Sequence, residues 1–305
     1  MSLFSRFFGK LDDDDPPKAK TLIANANIEE PLGLQVLFAE KVSLYPKKLT
    51  AALEAYDRGI RKVKCEFDPT LGKQGNLLGM VGWDQHVIKL VGFDAPMPKE
   101  AVELCVAPAH YPTALKKKAH AHKAHVLLYY AGYEESPIEQ YVALAATAGV
   151  LTEFGAIVVL NESAHTSFPA HALSKTDSEE GMLELLRTLP RPILYCGFVK
   201  HEVEDIPGVW MRTYGAPLLG FPDLAVHAAG HDEGERYFGI FNNVFCYLED
   251  SGARLAPGNT MQIETEEYLK FRSPLKEEEF LESDGALLVI EIIKPDEINR
   301  KGNRK

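Results

Sequence analysis

The sequence predicts an α+β fold in which a mixed, largely antiparallel sheet is covered by helices. Three observations predict it. Hydrophobic residues make up 46% of the 305 positions and charged residues 25%, close to globular averages, so burial can offset chain entropy without disulfides or metal. Strand-length apolar runs alternate with helix-period segments, but without the strict βαβ order of a doubly wound parallel sheet, which favours ferredoxin-like (split βαβ) units. No period of 20–50 residues recurs, which excludes solenoids and propellers. The chain is long for one core. It divides into an N-terminal amphipathic segment and acidic linker over 1–30, an α+β unit over 31–190, a second α+β half over 191–298 packed on the first, and a basic tail over 299–305.

In chain order, Leu3, Phe4, Phe7 and Phe8 share one helical face, and the acidic run from Asp12 to Pro17 breaks any helix there. Two readings stay open for this start: a short peripheral membrane or partner anchor, or a terminus whose apolar face packs on the body. Gly33 to Ala39 reads as a strand. Pro46 to Arg58 reads as a helix, with Leu49, Leu53 and Tyr56 on one face and Gly59 as its stop. Lys62 to Phe67 alternates like a strand, and Asn76 to Val81 with His86 to Phe93 forms two more around a Gly82, Trp83, Asp84 turn. A short helix opens at Pro98 and runs through Leu104. A strand at Ala124 to Tyr130 leads to a helix from Ile138 to Phe154, which Gly155 caps before the strand Ala156 to Leu160.

Past the loop from Ser174 to Ser178, a helix runs from Glu179 to Leu189, and a boundary falls near Pro190. Ile193 to Val199, Trp210 to Tyr214 and Leu224 to His227 read as strands. Asp232 to Glu249 fits a helix with an apolar stripe of Tyr237, Phe241, Val244, Phe245 and Leu248. Gly252 stops it, Pro257, Gly258 and Asn259 make a turn, and Ala286 to Ile293 is a buried strand.

With 33 Lys and Arg against 44 Asp and Glu, the net charge of −11 repels phosphate backbones and suits a basic protein partner. Nucleic acid is excluded as a general partner. Cys65, Cys105, Cys196 and Cys246 form no C-x-x-C pair and read as buried thiols of a reducing compartment. No run approaches the ~20 apolar residues that cross a bilayer, so the chain is expected in the cytoplasm, with contact to the inner membrane face open through residues 1–10.

The segment Trp210, Met211, Arg212, Thr213, Tyr214, Gly215, followed by Gly220, Phe221, Pro222, Asp223 and Leu224, resembles an uncharacterised bacterial family known as a domain of unknown function, DUF4261. His122 to Val126 and Ser251, Gly252 with Pro257 to Thr260 extend the resemblance over most of 31–293. The resemblance brings no activity, cofactor or catalytic residue. Members are similar in style to bacterial proteins encoded near toxin and immunity systems.

No G-x-x-x-x-G-K-[ST], G-x-G-x-x-G or G-x-S-x-G occurs, so phosphate-cradling loops and a nucleophile elbow are not advertised. Gly72, Gly75, Gly79 and Gly82 are spaced like hairpin turns. His110, His120, His122 and His125 form the densest imidazole group, and an H-x-H pair can chelate zinc from one strand face. The competing reading is a solvated strand entry after the basic run Lys116 to Lys118. His227 and His231 lack the glutamate of H-E-x-x-H. Glu162 and His165 make a lone E-x-x-H pair, where di-iron bundles need two. Gly215, Gly220, Pro222 and Asp223 are expected to be turn residues, with the Asp223 carboxylate accepting backbone N–H bonds. No cofactor is expected. The favoured function is a non-catalytic protein-binding module, immunity-type or stress-associated. The alternatives are an enzyme or metal-binding protein assembled from His120, His122, Glu162, His165 and Asp223, and a peripheral membrane adaptor.

Overall fold

The computed structural model describes residues 21–68, 76–177, 179–283 and 285–298. The anchor residues Leu3, Phe4, Phe7 and Phe8, the run from Asp12 to Pro17, Gly72, Gly75 and the basic tail lie outside the described residues. Two sheets organise the rest. The first takes seven strands: β1 (Gly33–Phe38), β2 (Lys64–Phe67), β3 (Asn76–Trp83), β4 (His86–Phe93), β5 (Ala124–Tyr130), β6 (Ala156–Asn161) and β7 (Thr166–Pro169), in the order β2-β3-β4-β5-β1-β6-β7. Every pairing in it is antiparallel. The second takes β8 (Gly197–Val203), β9 (Ile206–Tyr214), β10 (Asp223–Ala228), β11 (Thr260–Gln262), β12 (Tyr268–Arg272) and β13 (Leu287–Ile293), in the order β11-β12-β13-β10-β9-β8. Here β10 and β13 are parallel and the other pairs antiparallel.

The α+β class holds, but ferredoxin-like units are not shown. Both neighbours of β1 run antiparallel to it, so β5 and β6, joined in sequence through a helix, run parallel to each other on either side of β1. Among the described residues, parallel pairing occurs where the chain leaves β10, forms α7 (Gly234–Ser251) and the β11–β12 hairpin, and returns as β13.

Helix α4 (Pro137–Val150) explains how the layers close. Ser136 accepts from the Glu139 N–H at its start, and small residues such as Ala143, Ala145 and Ala148 let it sink until nearly every position is buried. It packs on α1 (Pro46–Tyr56), whose Tyr56 hydroxyl donates to the Leu173 carbonyl, and its Tyr141 stacks on Tyr195 of the second half. One continuous apolar core therefore contains Leu34, Val126 and Leu144 together with Leu194, Met211 and Phe241. On the far face of the first sheet, α2 (Lys99–Val106) and α3 (Thr113–His120) cover Leu37, Val158 and Leu160. In the second sheet, α7 buries its predicted stripe, Tyr237, Phe241, Val244, Phe245 and Leu248, and ends at Gly252 with φ 64°.

Several local readings change: Gly79 and Gly82 lie within β3 and not at hairpin turns, and of the four thiols read as buried Cys65 is half-buried and Cys246 exposed. Trp83 belongs to β3, and the hairpin turns at Asp84 (φ 47°) and Gln85. Arg191 to Leu194 is a helical turn, α6, because Pro190 and Pro192 favour a helix start over a ladder, so the next strand begins only at Gly197. Lys116 to His120 is helical, so His120 and His122 do not share a strand face. Helix α5 spans only Met182–Arg187.

The two sheets meet where the short turn at Glu162 to Ala164, between β6 and β7, presses on the second sheet. A Cβ at Gly197 would overlap the Ala164 carbonyl oxygen, and one at Gly215 (φ 85°) would fall 3.1 Å from that of Ser163. Only glycine allows this approach of backbone to backbone.

Candidate functional site

The histidines gathered in sequence are separated by use. His122 is buried; its Nδ1 lies 2.7 Å from the Ala119 carbonyl and its Nε2 accepts from the Met97 N–H at 2.7 Å. Both nitrogens are thus committed, which fixes the neutral Nδ1–H tautomer, in line with a pKa lowered by burial. His125 hydrogen-bonds the Ala95 carbonyl through Nδ1 and stacks on Phe93. His120 lies on the surface 3.4 Å from Glu103. Among the described residues no group of three or more His, Cys, Asp or Glu gathers as a metal site. His227 stacks on Trp210, and His231 faces Glu202.

His165 and Asp223, far apart in sequence, come together at the junction of the sheets. The turn at Glu162 to Ala164 delivers His165 in the left-handed region, φ 48°, ψ 39°. Its ring centroid lies 4.0 Å from that of Tyr214, and the Arg212 guanidinium lies 3.9 Å from the same tyrosine ring. Arg212 is fully buried and forms no ion pair among the described residues. It donates through Nη1 to the Leu281 carbonyl and through Nε to that of Thr213, while Nη2 has no hydrogen-bond partner among the described residues. Burial lowers its pKa, opposed by the charges of Tyr214 and Asp223. Burial first, and then the Arg212 charge, also lower the His165 and His201 pKa values, so both imidazoles favour the neutral form.

Asp223 is the hub of the second sheet's turn. Oδ1 accepts from the Thr213 hydroxyl at 3.0 Å and the Ala216 N–H at 3.1 Å, and Oδ2 from the Ser283 hydroxyl at 3.2 Å. Thr213 in turn accepts from the Leu224 N–H. Gly215 and Gly220, both in the left-handed region, bracket the turn Ala216–Leu219, and Pro222 precedes the strand. Burial raises the Asp223 pKa against the pull of these donors and of Arg212.

Beside this hub lies a cavity of about 620 Å³, lined by His165, Tyr214 and Asp223 together with Glu30, Glu282 and Leu218. Glu162 is exposed and hydrogen-bonds Gln35 through its backbone N–H, so it joins the site by position only. Sequence reasoning missed Arg212 as a buried cation and Tyr214 as its stacking partner. The one sequence signal was their alternation on a strand, which sets both on one face. The buried thiols of Cys105 and Cys196 are driven up by burial, the first to about 12, which makes them poor nucleophiles.

Residues 212–291 match the model of a domain of unknown function, DUF4261. The match is narrower than the resemblance over 31–293. It contains Arg212, Tyr214, Asp223 and Ser283 and leaves His165 outside, so the cavity joins the domain to the sheet that precedes it. No curated protein and no solved structure matches the chain.

Proposed function

We propose that this chain is a protein-binding module whose junction cavity receives a basic side chain of its partner. One observation carries the reading: the polar floor of the cavity is committed to the fold, while the carboxylates around it are not. Asp223 spends both oxygens on Thr213, Ala216 and Ser283. Glu30 and Glu282 are exposed and form no ion pair among the described residues, and Leu218 and Pro217 offer an apolar wall between charged groups. Such a mix holds the stem of a lysine or arginine and its charged head together. The net charge of −11 adds long-range steering of a basic partner.

The test uses the full-length protein and arrayed lysine- and arginine-containing peptides, each beside its glutamine counterpart. Binding should favour the basic peptides, with an association rate that falls as salt rises. The E30Q/E282Q double variant should weaken binding about three- to tenfold. Equal binding of the glutamine peptides, or a rate indifferent to salt, sinks the proposal. The enzymatic alternative rests on His165, whose left-handed backbone is a strained conformation of the kind found at reactive sites. A turnover that His165→Ala abolishes while peptide binding survives would favour it.

A further inference from the structure

We propose that the chain forms a two-fold dimer by pairing β11 with the β11 of a second copy. Among the described residues, this strand is the free end of the second sheet. Its inner side pairs Thr260, Met261 and Gln262 with Lys270, Leu269 and Tyr268 of β12. The Phe271 N–H donates to the Asn259 carbonyl, and the Ile263 N–H to the Glu267 carbonyl. Bonding in an antiparallel ladder alternates residue by residue. Asn259, Met261 and Ile263 therefore face the β12 side of the hairpin, with the Asn259 N–H taken by the Ala256 carbonyl, and the N–H and C=O of Thr260 and Gln262 point outward. Across a two-fold axis at Met261, Thr260 of one copy meets Gln262 of the other, twice, which satisfies all of these groups.

The flanking surface is complementary to itself. A groove of about 960 Å³ separates the strand from α7, with Ile240, Tyr247, Leu255, Met261 and Ile263 as apolar walls; Tyr247 is 50% exposed. The ion pair of Arg236 with Glu267, 2.8 Å, marks the end near the start of α7, where Glu264 also sits. At the other end, past Tyr247 and Gly252, stands Arg254. Arg254 and Glu264 are both exposed and form no ion pair among the described residues. A two-fold axis reverses one groove against the other, so each Arg254 meets the partner copy's Glu264. Opposite charges at opposite ends of one groove are the condition for an isologous contact. Covering this edge also removes an open template for unwanted strand pairing.

Sedimentation equilibrium of the full-length protein tests the idea. A concentration-dependent monomer–dimer equilibrium is expected, with Kd on the order of 10 μM for so short an edge. R254E and E264R should each raise Kd about tenfold or more, and the double variant R254E/E264R should return it to within about threefold of the original. Q262P strips an outward N–H without touching the β12 ladder and should also weaken the dimer, with circular dichroism confirming the fold. A monomer at every concentration overturns the proposal. So does a dimer whose Kd ignores both single reversals, or a folded double variant that fails to recover.

Discussion

Two groups of imidazoles in this molecule teach opposite lessons. His120, His122 and His125 stand close in sequence, yet each turns to a different partner: Glu103, the Met97 and Ala119 backbone, and the Ala95 carbonyl with Phe93. His165 has no such neighbours in sequence, yet it meets Tyr214, Arg212 and Asp223 at the junction of two sheets. A helix end and a turn, α3 and the residues after it, disperse the first group. A backbone contact that only glycine permits assembles the second. Density in sequence is therefore a poor guide to convergence where secondary structure changes between the residues.

The comparison can be broken first at the junction. Asp223→Ala should cost about 3 to 4 kcal/mol in urea unfolding, because it leaves the buried Ala216 N–H and Thr213 hydroxyl without their acceptor. Asp223→Asn should recover part of this, and a loss under 1 kcal/mol would deny Asp223 the role of hub. Gly197→Ala comes next, at about 3 kcal/mol, since the added Cβ meets the carbonyl backbone of Ala164. Unchanged unfolding there would mean that the sheets do not meet as described.

His122→Ala should then cost about 1 to 2 kcal/mol, for two buried hydrogen bonds, whereas His120→Ala should stay within about 0.5 kcal/mol, as exposed pairs do. Equal losses at both positions would place them in one unit and revive the cluster. The smallest effect is the pH dependence. His86, His122, His125, His165 and His201 all have folded pKa values lowered by burial, below the unfolded value of about 6.5. Between the folded and unfolded values the unfolded chain binds more protons, so stability rises with pH across that window. It is complete above about pH 6.5 and declines as pH falls below it. Melting temperatures from pH 7 down to 5 should drop, and the drop should shrink in His122→Ala.

Much of the fold was legible because local rules decided it. The α7 stripe, the Gly252 stop, the apolar run of β13 and the strands β4 and β5 follow from periodicity and capping alone. The short elements were not: α3, β7, β11 and β12 carry too few residues for a period to register, and two prolines shifted the start of β8. Of the site, Asp223 and the turn around it were legible, since a short carboxylate after Pro222 in a glycine-rich turn has an obvious use. Arg212 was not, because an arginine in a strand carries no local mark of burial.

The sequence by itself determined the α+β class, the negative field and the long buried segments, all of which depend on composition and on spacing within one element. The absence, among the described residues, of a helix long and apolar enough to cross a membrane accords with its lack of long apolar runs. Only the tertiary structure decided that the first sheet is wholly antiparallel, that His165 lies over Tyr214, and that, among the described residues, β11 ends a sheet with its outer edge open. These depend on contacts between residues distant in the chain, set by which backbone segments approach closely enough to exclude a side chain. A period or a motif within one segment does not encode that distance.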